Sequence, residues 1–88
     1  MENKKKTAYS FERLIDKVKQ RREVEFSSRG KDYIISYYPT KSGKPISFYE
    51  LDKWPNEYAD LEDFVKHGNW EGRSIQEIWA EAEDILIF

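Results

Sequence analysis

The chain contains no cysteine. That excludes disulfides, thiolate nucleophiles and cysteine-held zinc, so nothing covalent offsets the small size of the fold. It also suits a reducing, cytoplasmic setting. There is one histidine, His67. Zinc takes three or four ligands at close quarters, and a serine triad would have to use that one ring, with no strand-turn-helix elbow to present a serine. Calcium-loop spacing is missing, and Lys41-Ser42-Gly43-Lys44 lacks the full phosphate-loop pattern and reads as a turn between strands. No run of about 18 apolar residues exists, so no helical membrane span is expected. The start, MENKKKTA, has no apolar segment behind its lysines and does not read as a secretory signal. These absences lead to an expectation of no enzyme activity, no cofactor and no metal.

What is present is a single domain's worth of chain with many rings. Its 88 residues are 39% apolar, 36% charged and 16% aromatic. Disordered chains lack such aromatic content, so residues 9–88 are expected to fold as one domain behind a basic tail, residues 1–8. Net charge is −2, but residues 1–49 sum to +6 and residues 50–88 to −8. Either the halves attract each other within the fold, or one of them faces a charged partner.

Glu23 to Tyr38, EVEFSSRGKDYIISYY, has the alternation of a β-hairpin around the turn Ser28-Arg29-Gly30-Lys31. Pairing Ser27 with Asp32 sets Phe26 opposite Tyr33 and Val24 opposite Ile35, which gathers one apolar face. A one-residue slip would mix the faces. Glu25, Ile34, Ser36 and Tyr38 then lie on the other side. A third strand is expected over Ile46–Leu51. Two registers are open, Phe48 opposite Tyr37 or Tyr49 opposite Ile35, depending on the turn at Ser42-Gly43.

Helical spacing covers three stretches. Phe11, Leu14, Ile15 and Val18 form a stripe within Tyr9–Gln20, with Ser10 as N-cap and Tyr9 poised to pack on Leu14. A short helix is expected over Asp60–His67, with Leu61, Phe64 and Val65 inward, and Gly68 in the left-handed position that ends helices. The third helix opens on the capping box Ser74-Ile75-Gln76-Glu77 and continues through Ile78, Trp79 and Ala82. Asp52–Tyr58 reads as a loop whose Trp54 and Tyr58 fold over the core edge. Asp84–Phe88 is β-prone and suits either an edge strand or a core-plugging tail. The expected fold is therefore α+β: an N-terminal helix, a three-stranded antiparallel sheet and two C-terminal helices, with the last residues either a short final strand or a tail.

The third helix as read has a conflict. Glu77 and Glu81 fall four residues apart, with Glu83 and Asp84 beyond, and like charges at that spacing repel at the wrong end of the helix dipole. With Asp60, Glu62 and Asp63 they define an acidic surface suited to a basic site on a host protein, such as one that handles nucleic acid. The plainer alternative is a solubilising face. The competing functional reading is weak nucleic-acid binding by Arg29, Lys31, Lys41 and Lys44 at the turn tips, which a pI near 5.4 disfavours. The expected assembly state is a monomer or a weak homodimer.

Two motifs carry a resemblance. Glu25–Ile35 fits E-F-x-x-x-G-K-x-Y-x-I, and Gly72–Trp79 fits G-x-S-[IL]-x-E-[IL]-W. Together they resemble a set of small uncharacterised proteins of Gram-positive bacteria and their phages and mobile elements. The resemblance covers most of the chain beyond the tail, is less typical around Trp54-Pro55, and implies an origin but no activity. The order of elements is also similar to that of a small acidic phage anti-CRISPR inhibitor that occupies a DNA-binding surface.

Overall fold

The computed structural model describes residues 9–39 and 41–88. The basic tail expected at residues 1–8 lies outside them.

Helix α1, Phe11–Lys19, starts at Ser10, whose hydroxyl accepts from the Arg13 N–H as expected of an N-cap. Its buried Leu14 and Val18 point at the sheet. Tyr9 packs at the core edge, where the Arg13 guanidinium lies 4.5 Å from its ring centre and its carbonyl accepts from the Trp79 indole at 2.8 Å.

Strands β1, Val24–Ser28, and β2, Lys31–Tyr37, form the hairpin in the expected register: Val24 faces Ile35, Phe26 faces Tyr33 and Ser27 faces Asp32. The two-residue turn Arg29-Gly30 has positive φ at both positions, the geometry that matches strand twist. Strand β3, Ile46–Glu50, takes neither of the two expected registers. Ile46 faces Tyr37 and Phe48 faces Ile35. The connection is longer than a tight turn: the Tyr38 N–H to Pro45 carbonyl bond closes it at 2.9 Å, and the prolines at its two ends cannot extend the ladder.

The sheet has five strands where three were expected, with the C-terminal residues open to either a fourth strand or a tail. Asn56–Tyr58 forms strand β4 on β3, with Tyr58 buried opposite Ile46. Trp54, expected over the core edge with Tyr58, instead projects into solvent and is 91% exposed. At the other edge, the last strand, β7, Ala82–Ile87, pairs with β1, giving the antiparallel order β4-β3-β2-β1-β7.

Helix α2, Leu61–His67, is capped by Asp60 and buries Phe64, but Val65 turns outward at 38% exposure. Gly68 is not left-handed; its φ is −59°. It is needed for space, because a Cβ there would meet the Phe64 carbonyl oxygen at 2.5 Å and the Ile75 side chain at 3.0 Å. The connection after it is a two-stranded ribbon, β5 Asn69–Trp70 and β6 Arg73–Ser74, turning at Glu71-Gly72.

Helix α3 is shorter than expected. It spans Ile75–Trp79, opened by the Ser74/Glu77 capping box, and the chain leaves it at Ala80. Strand β7, Ala82–Ile87, follows almost at once. The spacing Ile75, Ile78, Trp79, Ala82 does mark four buried residues, but the last of them is a strand residue opposite Ser28.

All three helices contribute to a core on one side of the sheet. Leu14, Val18, Phe64, Ile75, Ile78 and Trp79 meet Val24, Phe26, Tyr33, Ile35, Ile46 and Phe48. Rings dominate it: Trp79 packs edge-on to Phe26 at 4.9 Å, and Phe48 meets Phe64 at 6.1 Å. Within it, the Ser28 hydroxyl donates to the Ile78 carbonyl at 2.9 Å, joining β1 to α3.

Candidate functional site

The acids expected to form one helical stripe are dispersed. Glu77 caps α3, accepting from the Ser74 N–H at 2.9 Å, and that bond lowers its pKa. Glu81 lies beyond the helix and is gripped by Arg29 and, at 3.4 Å, by Arg73. Asp60 is the N-cap of α2, accepting from Asp63 N–H at 2.8 Å. Asp63 accepts from the Ala59 N–H at 2.9 Å and pairs with His67 Nδ1 at 2.8 Å; both contacts hold its carboxyl below its usual range. Glu62 pairs with Lys66 along α2. Of this acidic set, Glu83 and Asp84, both on β7, are the two that make no side-chain hydrogen bond or ion pair among the described residues. The helical stripe is thereby corrected: Glu81, Glu83 and Asp84 are not helical, and most of the set has internal work.

The basic set is divided as well. Arg29 and Lys31 sit at the β1–β2 turn, and Lys41 and Lys44 in the β2–β3 connection. These are opposite ends of β2, whose seven residues span roughly 20 Å at 3.3 Å per residue. Lys31 also lies 3.9 Å from Glu50 and 3.5 Å from Glu71. The halves of the chain therefore do attract each other in part, since Arg29 and Lys31 meet acids of the second half.

What the structure assembles instead is the other face of the sheet. No helix packs on it among the described residues, and none of its side chains belongs to the core. The register lays out three rows across it. Glu83, Ser27 and Asp32 form one, with Leu51 beside Asp32. Leu86, Glu25, Ile34 and Tyr49 form the next. Ser36, Ser47 and Glu57 form the third, and Glu23, the residue just before β1, accepts from the Tyr38 hydroxyl at 3.3 Å beside it. Carboxylates recur in every row, and no strand position on this face carries lysine or arginine.

The acids there are crowded. A hydrogen bond in which the Glu25 carboxyl donates to Glu23, partial burial and the Glu23 charge together push the Glu25 carboxyl up. Burial, then the charges of Glu23 and Glu25, push up the Tyr49 phenol. A β-bulge between Glu25 and Ser27 sets Asp84 at φ 52°, beside Leu86. There the face dips into a concavity of about 270 Å³, lined among others by Glu25, Asp32, Ile34, Leu51, Asp84 and Leu86.

Sequence reasoning had placed Glu25, Ile34, Ser36 and Tyr38 on this side, and only Ser36 is buried there. It missed Glu23, Asp32, Glu57 and Tyr49 as members of one surface. The alternation Glu23-Val24-Glu25-Phe26 was the available signal for the first of these. Among the described residues no group of three or more His, Cys, Asp or Glu could hold a metal ion, and no helix is long and apolar enough to cross a membrane. Compared with protein-family models, curated proteins and solved structures, the chain matches none.

Proposed function

We propose that the chain is a small non-enzymatic interaction protein that binds a basic protein surface through its acids. The observation that carries this reading is the segregation of charge on the open sheet face: carboxylates in every row, aliphatic and tyrosine side chains between them, and no cation at a strand position. Such a face repels phosphate and attracts lysine and arginine. A host protein that handles nucleic acid has a basic surface of that kind, and an acidic protein seated on it would compete with the nucleic acid. The hairpin and final-helix motifs support a phage or mobile-element origin.

The test is a competition. A lysine- and arginine-rich DNA-binding protein is loaded with labelled duplex, and the chain is titrated in at low and at high salt. The chain is expected to bind the protein, displace the duplex, and lose affinity as salt rises. Direct binding of the duplex by the chain would sink the proposal in favour of the basic turns, and binding to neither would sink it outright.

A further inference from the structure

We infer that the concavity on the open face is a subsite for one long cationic side chain, lysine or arginine, carried by an extended basic segment of the partner. This rests on the interaction reading above and names the place where recognition happens. Its lining includes three aliphatic side chains: Ile34 from β2, Leu51 just past β3, and Leu86 from β7, which is 55% exposed. It also includes three carboxylates: Glu25, Asp32 and Asp84. A lysine or arginine has that division along its own length, an apolar stem with a charged head. The concavity, at about 270 Å³, sits just below the range of roughly 300–1,000 Å³ typical of small-molecule pockets, which suits a side chain.

Charge selects the occupant. A phosphate would meet three carboxylates and no cation. A second copy of the chain docked by the same face would oppose acid to acid. A cationic head relieves repulsion already present, because Glu23 and partial burial push the Glu25 carboxyl above its usual range. Asp32 uses one carboxylate oxygen on the Ser27 hydroxyl at 2.7 Å, which fixes its position and leaves the other oxygen for the guest. The bulge at Asp84 is what turns a third carboxylate toward the same place.

The ¹⁵N-labelled chain is titrated with a short peptide of alternating arginine and threonine, and with a control in which glutamate replaces arginine. The arginine peptide is expected to shift the amides around Glu25, Ile34, Leu51 and Leu86, and the control to shift none. Glu25→Gln combined with Asp32→Asn should weaken binding about tenfold, Leu86→Lys at least as much, and Glu12→Gln on α1 not at all. Amide dispersion of each variant reports that it is folded, and Leu86→Lys alters an exposed side chain. Binding should also tighten as pH rises through the elevated Glu25 pKa. Shifts confined to α2 around Asp60 and Glu62 would overturn the subsite and leave the basic-partner reading standing. No response to the arginine peptide at any position would overturn both.

Discussion

Gly68 carries more of the fold than its size suggests. Its N–H closes α2 on the Phe64 carbonyl at 2.8 Å, and its own carbonyl accepts from the Ile75 N–H at 2.8 Å, so it ties the second helix to the third. A methyl group there has no room. Gly68→Ala should therefore cost roughly 1–3 kcal/mol, the usual range for overpacking, read as a lower urea midpoint with an unchanged slope. Glu25 works in the opposite sense. Its raised pKa means that the folded state holds the proton more tightly than the unfolded chain. Its stabilising contribution is full below the unfolded pKa and is lost as pH rises through the folded value. Glu25→Gln, which keeps a neutral side chain, should match the parent in acid and exceed it in stability at neutral pH, as shown by urea midpoints across pH. A variant no more stable at neutral pH would mean that the Glu23–Glu25 crowding is absent in solution.

At the level of elements, α3 depends on its ends. Five residues cannot hold a helix in water by propensity, so the capping box and the buried Ile75, Ile78 and Trp79 must do so. Ser74→Ala should cost about 1 kcal/mol, measured by thermal or urea unfolding. Ser74→Asp, which keeps an acceptor, should recover most of that. This cap was legible from Ser-x-x-Glu alone, as were Ser10 on α1 and the hairpin register, because each depends on residues a few positions apart. The length of α3 was not legible. The spacing from Ile75 to Ala82 fits a helix, and the four positions it marks are indeed buried. The chain nonetheless leaves the helix at Ala80, because β1 has an open ladder and the β-prone Ile85-Leu86-Ile87 can fill it. Strand β4 was missed for the same reason: three residues after a proline carry no periodic signal, and they become a strand only because β3 offers an edge.

For the whole molecule, the open face predicts how copies behave. Two faces rich in carboxylate repel each other, and Asp84 in its left-handed bulge interrupts the outer edge of β7. Sedimentation should accordingly report a monomer at low salt. A dimer there that dissociates at high salt would instead show that oppositely charged surfaces of two copies pair. The charge imbalance between the sequence halves pointed to acids of the second half, yet the surface that forms draws Glu23, Glu25 and Asp32 from the basic half and Glu57 and Glu83 from the acidic one. Sequence by itself determined what alternation and capping determine: the hairpin and its apolar face, the starts of the three helices, and the absence of thiol chemistry. Only the tertiary structure decided which strands flank the hairpin, and with that which face stays open and which acids share it. The reason is physical: an edge strand is chosen by a ladder left unfilled some fifty residues away, as between Ser28 and Ala82, and no local pattern records that vacancy.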